Sequence, residues 1–373
     1  MQFRDLGAQY QALKQDIDEG IQNVINSSAF ILGKPVTELE GRLADYVGRK
    51  HCVSCGNGTD ALQLALMAWG IGHGDAVFTS DFTYFASAGT SSILGAAPIF
   101  VDINLATFNM DPDSLEAAIQ RVIAKGQLTP KVIVPVDLFG QPADYDKILP
   151  IAKKYGLKVL EDAAQGFGGN IRGKLAGSFG DLSATSFFPA KPLGCYGDGG
   201  AIFTDDDEIN ARLRSLRVQG KSPVDKYDNR EIGMNSRLDA IQAAVLLPKF
   251  KAFVDYELEA VNKAAKWYTE RLKDRFVIPT VQDGFYSSWA QYTILLDTKE
   301  ERDAIQANLK AKGIPSMVYY PRGLHQQEAY AWMDLSDDMY PNTIEATKRV
   351  LSLPMHPYLT EETVDQICRE LLA

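Results

Sequence analysis

No apolar run in the chain approaches the ~20 residues that a membrane-spanning helix needs, so no membrane partner is expected. Positive charge is in deficit: 38 Lys and Arg stand against 48 Asp and Glu, a net charge of −10, and no basic cluster stands out. That balance argues against a nucleic-acid backbone as ligand, although a small anion in a local pocket stays compatible with it. Cysteine is scarce, four in 373 residues, which is no disulfide scaffold. Cys52-Val53-Ser54-Cys55 has redox or metal spacing, but no second Cys or His pair follows at ligand distance and there are only four histidines. No metal is therefore expected, and Cys52 reads more simply as a buried strand residue. Met1-Gln2-Phe3-Arg4-Asp5 lacks a basic segment followed by an apolar one, so no signal peptide is evident and a cytoplasmic protein is expected. The P-loop, dinucleotide and G-x-S-x-G signatures are also missing.

What remains is an ordinary globular composition, 46% hydrophobic and 23% charged, in a chain longer than one core usually supports, which predicts two domains. Apolar spacing predicts helices over about Tyr10–Ile25 and Val36–Val47, the second closed by Gly48. From His51 to Thr204 short apolar strands alternate with helices, the pattern of an α/β domain with a mostly parallel sheet covered on both faces. Residues 218–235 form a long polar loop that includes Lys221, Lys226 and Arg230. A helix is predicted over about Leu238–Leu272, kinked at Pro248. The remainder reads as α+β, with strands at Gln291–Leu296 and Ser316–Tyr320 and a terminal helix at Glu361–Leu371. The boundary is placed inside the long helix, giving a large domain over 1–247 and a smaller α+β domain over 248–373.

Function in such sheets collects at the carboxyl ends of the strands. Lys191 sits between the aromatic run Phe187-Phe188-Pro189 and the glycine-rich Gly194–Gly200, surroundings that favour a neutral, nucleophilic amine and so a Schiff-base lysine. Asp162 closes the strand Leu157–Asp162, where its carboxylate either keeps a ring nitrogen protonated or caps the next turn. The turn Gly56-Asn57-Gly58-Thr59 leads into a helix whose free N–H groups suit a phosphate; an ordinary capped βα turn has the same pattern. Ser186 offers a hydroxyl beside Lys191, and Phe82 or Tyr84 an aromatic face. In this order the residues converge on pyridoxal 5′-phosphate (PLP) chemistry.

With Gly56-Asn57-Gly58-Thr59-Asp60-Ala61-Leu62, Glu161-Asp162-Ala163-Ala164-Gln165, Ser186-Phe187-Phe188-Pro189-Ala190-Lys191, Gly197-Asp198-Gly199-Gly200-Ala201 and Asn235-Ser236-Arg237-Leu238-Asp239, the chain resembles the fold-type I, PLP-dependent nucleotide-sugar aminotransferases of the DegT/DnrJ/EryC1/StrS family. The resemblance runs from Phe3-Arg4-Asp5-Leu6 to Leu353-Pro354-Met355-His356-Pro357. It implies an aspartate aminotransferase-like fold with a seven-stranded-type sheet, Tyr84 stacked on the cofactor ring and Gln165 beside the ring hydroxyl. It also implies Asn235 reaching the phosphate of a neighbouring subunit, hence a homodimer with shared sites, and amino transfer from L-glutamate to a UDP-linked keto-sugar. Pro189–Tyr196 and Leu353–Leu359 look similar to a subgroup that aminates C-3 of a UDP-2-acetamido-3-oxo-glucuronic acid for O-antigen sugars. Arg237 would then bind the uronate carboxylate in a fork, or else cap or pair at the start of the long helix. Tyr319-Tyr320-Pro321 departs from a usual His-Tyr-Pro at the sugar side, where Tyr320 is the expected contact. A C-4 aminotransferase acting on a neutral 4-keto sugar is the alternative.

Overall fold

The computed structural model describes residues 1–225 and 227–373; Lys226, part of the polar loop above, lies outside the described residues. Seven strands build the main sheet: β1 (His51–Cys55), β2 (Asp75–Ser80), β3 (Ala97–Val101), β4 (Thr129–Val134), β5 (Lys158–Asp162), β6 (Leu182–Ser186) and β7 (Gly200–Thr204). Their order is β1-β7-β6-β5-β4-β2-β3. β7 runs antiparallel to both neighbours, β1 and β6, and the other pairings are parallel. This is the mostly parallel α/β sheet that the strand–helix alternation predicts.

The strands read as continuous apolar runs because both faces are buried. Val53, Val77, Val132 and Leu160 pack one face against Leu62 and Leu64, while Phe78, Val101 and Ile133 pack the other against Leu115, Ile119 and Ile148. Each fully buried Leu, Ile or Phe in such a layer contributes about 1.5–3 kcal/mol. Cys52 and Cys55 fall on opposite faces of β1 as free buried thiols, and burial pushes Cys55 up to about 12.

Helix α2 (Lys34–Val47) packs on the β1–β7 end of the sheet against Cys52 and Phe203, helix α1 (Leu6–Ser27) lies against the helix Ala240–Ala252, and Gly48 at φ +74° closes α2 as expected. Glu40 of α2 is buried, yet Arg217 at 2.6 Å and Arg214 at 3.0 Å outweigh the burial and hold its carboxyl below the usual range. Glu40 also accepts from the Ser54 backbone and hydroxyl, so it ties β1 to the start of the polar loop.

The predicted long helix forms as Ala240–Ala252 and Leu258–Leu272, joined by a π-helical turn over Phe253–Glu257. Pro248 does not end the helix. The irregular turn lies beyond it, where Phe253 stacks on Phe167 at 5.9 Å and Glu257 accepts from Gln9 and Tyr358. A second core gathers Tyr268, Tyr292, Ile294, Leu309, Leu353 and Ile367 around antiparallel strands Tyr292–Leu295 and Val350–Leu353. The predicted strand Ser316–Tyr320 is absent. Only Met317 bridges to Ser352, and the chain then turns so that Tyr320 packs edge-on against Phe82. The helix Pro341–Arg349 and the strand Val350–Leu353 escaped the sequence reading. Among the described residues no helix is long and apolar enough to cross a membrane.

Candidate active site

One edge of the sheet collects the candidate residues. Asp162 and Ser186 are the last residues of β5 and β6, the turn at Gly56 follows β1, and Tyr84 lies shortly beyond β2. Because β7 runs the other way, the segment carrying Lys191 returns to the same edge before Gly200.

At the β1 end, helix α3 (Gly58–Ala68) starts from Asn57, whose side chain accepts from the Asp60 N–H at 2.8 Å. The Ala61 N–H goes to the Asn57 carbonyl, which leaves the Gly58 and Thr59 N–H groups without a partner among the described residues. Ser236, absent from the sequence-level candidates, fastens this turn by accepting from Gly56 N at 2.9 Å and donating to Asp60 at 2.6 Å. A Cβ on Gly58 would stand 2.6 Å from Ser186 Cβ, and one on Gly200 would stand 2.5 Å from the Asn57 carbonyl. Glycine at both positions lets the α3 terminus and Ser186 close into a cradle with free donors, the chemistry of a phosphate site.

Asp162 is buried and accepts from Ser87 Oγ at 2.8 Å and from the Ala164 N–H at 3.2 Å. Ser87 belongs to α4 (Ala86–Ile93) and was likewise missed. Burial raises the Asp162 carboxyl above its ordinary range, opposed by Ser87, Ala164 and the nearby Lys191. Burial lowers Lys191, with Asp162 opposing and Arg4 adding to the effect. The Lys191 amine makes no hydrogen bond or ion pair among the described residues. A desolvated amine thus faces a buried carboxylate that has polar donors but no bonded cation.

Directly behind Asp162 lies a second acid pair. Asp137 and Glu161 are fully buried and adjacent, and burial raises both. Glu161 accepts from the Gly177 and Phe179 N–H groups and Asp137 from the Ala143 N–H and the Tyr145 hydroxyl, and with Glu161 beside it Asp137 is the more strongly raised of the two. A raised carboxyl binds its proton more tightly folded than unfolded, so it makes stability fall as pH rises above the unfolded value. Asp137→Asn mimics the protonated acid and escapes that loss. Its melting temperature relative to wild type should therefore climb between about pH 5 and about pH 8; a constant difference in thermal melts would show that Asp137 is not protonated.

Gln165 is buried, accepts from the Phe139 N–H at 2.9 Å and donates to the Tyr320 hydroxyl at 3.2 Å, so Tyr320 does reach the site. Tyr84 is 58% exposed at the mouth whereas Phe82 is core, which favours Tyr84 as the free aromatic face. Asn235 and Arg237 flank Ser236, which fastens the Gly56–Asp60 turn. Asn235 is exposed, and Arg237 lines a cleft of about 970 Å³ with Val218, Lys221, Arg230 and Ile232, not with Lys191. Arg237 makes no ion pair or side-chain hydrogen bond among the described residues, so it neither caps nor pairs at the helix start. His325 bridges Asp81 and Asp337 at 2.6 and 2.9 Å, an internal clamp. Among the described residues no group of His, Cys, Asp and Glu is arranged to hold a metal.

The sequence profile of the DegT/DnrJ/EryC1/StrS aminotransferase family matches residues 11–372. The chain belongs to this family. It is 47% identical to the UDP-2-acetamido-2-deoxy-3-oxo-D-glucuronate aminotransferase of Pseudomonas aeruginosa, covering 100% of this chain and 99% of that one. It is 40% identical to the UDP-N-acetyl-3-dehydro-alpha-D-glucosamine 3-aminotransferase of Acidithiobacillus ferrooxidans, with 97% and 95% covered. A crystal structure of a DegT DnrJ EryC1 StrS aminotransferase from Brucella abortus superposes with TM-score 0.96 at 47% identity, covering 100% and 98%. The Bacillus subtilis protein ntda, solved with bound cofactor PMP, superposes with TM-score 0.87 at 29% identity, covering 97% and 81%. As a DegT/DnrJ/EryC1/StrS aminotransferase, the chain takes pyridoxal 5′-phosphate as its cofactor. Its residues fit that group: the cradle at Gly58 and Ser186 suits the phosphate, Asp162 suits a cationic ring nitrogen, and the unbonded Lys191 amine suits an aldehyde carbon.

Proposed function

We propose that this aminotransferase moves an amino group from L-glutamate to C-3 of UDP-2-acetamido-2-deoxy-3-oxo-D-glucuronic acid, in the cytoplasm, on a route to O-antigen or related polysaccharide sugars. The observation that carries the catalytic part is the convergence of the desolvated Lys191 amine and the buried Asp162 carboxylate beside the Gly58–Ser186 cradle. The cofactor supplies an electron sink for the carbon that gives up its proton. Gly58, Thr59 and Ser186 would hold its phosphate, helped by Asn235 of a second copy; Tyr84 would offer its face to the ring and Gln165 would serve the ring hydroxyl. Asp162, ordered by Ser87, would keep the ring nitrogen protonated. The Lys191 amine would hold the cofactor's aldehyde carbon and would take and return the proton at the substrate carbon. Tyr320, tied to Gln165, orients the sugar.

The uronate reading is supported by the relative at 47% identity and by Arg237, whose unpaired guanidinium lines a cleft beside Arg230 and Lys221. A guanidinium fork and a carboxylate form two charge-assisted hydrogen bonds. Arg237→Ala should lower kcat/KM for the uronate about 100-fold and change it less than about threefold for the neutral 3-keto sugar. The assay supplies each UDP-keto-sugar with glutamate and follows 2-oxoglutarate. Equal losses on both sugars would remove Arg237 from carboxylate recognition, and wild-type turnover of a neutral 4-keto sugar at the uronate rate would favour C-4 amination.

A homodimer with shared sites is supported by the loop bearing Asn235 and Arg237, where Val224 is 84% and Ile232 88% exposed. We take residues 1–247 as the cofactor domain and 248–373 as the smaller domain. The core residues Ala240–Phe253 pack with α2 and Phe187, whereas Val261–Leu272 pack with Tyr292 and Ile367, which supports a boundary within that long helix.

A further inference from the structure

We propose that Arg4 is a positioning residue for Lys191: it grips the lysine loop from the segment ahead of α1 and fixes a positive charge beside the amine. The proposal rests on the reading of Lys191 given above.

Arg4 Nη2 donates to the carbonyl of Pro192, the residue after Lys191, at 3.1 Å across 188 positions of sequence. Its neighbours anchor the segment. The Phe3 carbonyl accepts from Met355 N at 3.1 Å, the Phe3 ring meets Tyr319 edge-on at 6.2 Å, and Asp5 caps α1 through the Ala8 N–H at 2.8 Å. Tyr319 precedes the Tyr320 that bonds Gln165. Three consecutive residues therefore connect the lysine loop, the first helix and the segment that carries Tyr320. A shift of any one of these parts is felt at the Lys191 backbone.

The charges below the loop point the same way. Glu257, projected by the π-helical turn, is engaged by Gln9 at 2.8 and 3.1 Å and by Tyr358 at 2.8 Å. It is the carboxylate facing both Arg4 and Lys249. Lys249 is 1% exposed, its amine has no hydrogen-bond partner, and it lies 4.9 Å from the centre of the Tyr196 ring. One carboxylate thus serves two cations, Lys249 buried and Arg4 half-buried. Burial lowers Lys249 to about 8 and Arg4 to about 10, and Arg4 adds to the lowering of Lys249. His356, also buried and facing Arg4, is lowered to about 4 by burial and stays neutral. At neutral pH Arg4 is charged, and Lys249, at about 8, is still largely protonated as well. The charged groups facing Lys191 are Asp162 from β5, which favours the protonated amine, and Arg4, which disfavours it. Arg4 offsets part of the pull of Asp162, so the released amine gives up its proton readily and serves as a base.

The test uses holoenzyme of wild type, Arg4→Gln and Arg4→Lys. Two readouts are taken: the pH midpoint of the bound cofactor's visible absorbance change, which follows the proton at the Lys191 nitrogen, and kcat and KM for glutamate. Arg4→Gln keeps a donor for Pro192 and loses the charge, so its midpoint should rise by about one pH unit and its kcat should fall about tenfold with KM within about twofold. Arg4→Lys keeps the charge and should restore both the midpoint and kcat. Arg4→Met is the second neutral variant should Arg4→Gln not fold. An unmoved midpoint in the neutral variants, or a midpoint in Arg4→Lys displaced as far as theirs, overturns the proposal. Borohydride reduction of wild type followed by peptide mapping separates the two readings. Failure to find the cofactor on the Lys191 peptide defeats the assignment of Lys191, whereas its presence with unmoved Arg4 variants defeats only the role of Arg4.

Discussion

Lys191→Ala should lower kcat for amino transfer by about 10⁴-fold or more, because in the proposed reading one amine would both attach the cofactor and move the proton. Its local setting makes substitution by a neighbour implausible on physical grounds. Arg4 is committed to the Pro192 carbonyl, and Lys249 is enclosed against Tyr196. After borohydride reduction the mass of wild type should include the cofactor and that of Lys191→Ala should not. The fold should survive, since the amine makes no bond whose loss would strand a partner. A variant that still retains reduced cofactor, or that turns over within about tenfold of wild type, would sink the assignment. Wild-type protein that shows the visible absorbance of bound cofactor yet forms no 2-oxoglutarate would point instead to a binding module built on this fold.

The α/β frame was legible because its strands are largely buried on both faces and several of its helices carry local punctuation. Gly48, Gly126 and Gly156 close their helices in the left-handed region, and Asp111 opens one by accepting from the Ser114 N–H. The candidate site was legible for a related reason: its residues sit in short segments at strand ends, where chain order and residue type suffice. What escaped is set by distance along the chain. Ser87 meets Asp162 across 75 positions, Arg4 meets Pro192 across 188, and Ser236 meets Asp60 across 176. Nothing in the spacing of a lone serine or arginine announces such a partner. The small domain failed for another reason. Ser316–Tyr320 and Val350–Leu353 are both short apolar runs, and pattern cannot tell which one pairs with Tyr292–Leu295. Packing decides it: Leu351 and Leu353 enter the second core, whereas Tyr319 and Tyr320 leave it for Phe3 and Phe82.

Asp162→Asn should cost about 10³-fold in kcat with little loss of stability. The amide matches the carboxylate in shape and can still accept from Ser87 Oγ or the Ala164 N–H. What it loses is the negative charge, and a neutral amide cannot hold a ring nitrogen in its cationic form. The chain spends folding free energy to keep that charge: burial disfavours the Asp162 carboxylate, and Ser87, Ala164 and Lys191 only partly offset it. A residue serving packing alone would therefore be better as Asn than as Asp, and Asp162→Asn should melt at or slightly above the wild-type temperature in the absence of cofactor. Ser87→Ala separates orientation from charge. It removes one donor, leaves the carboxylate in place and should lower kcat about tenfold, far less than the loss of the charge. Parallel kinetics and thermal melts on the two variants check the order. Equal losses in both would mean that the position of Asp162, and not its charge, is what catalysis needs, and an unchanged kcat in Asp162→Asn would remove it from the cofactor site.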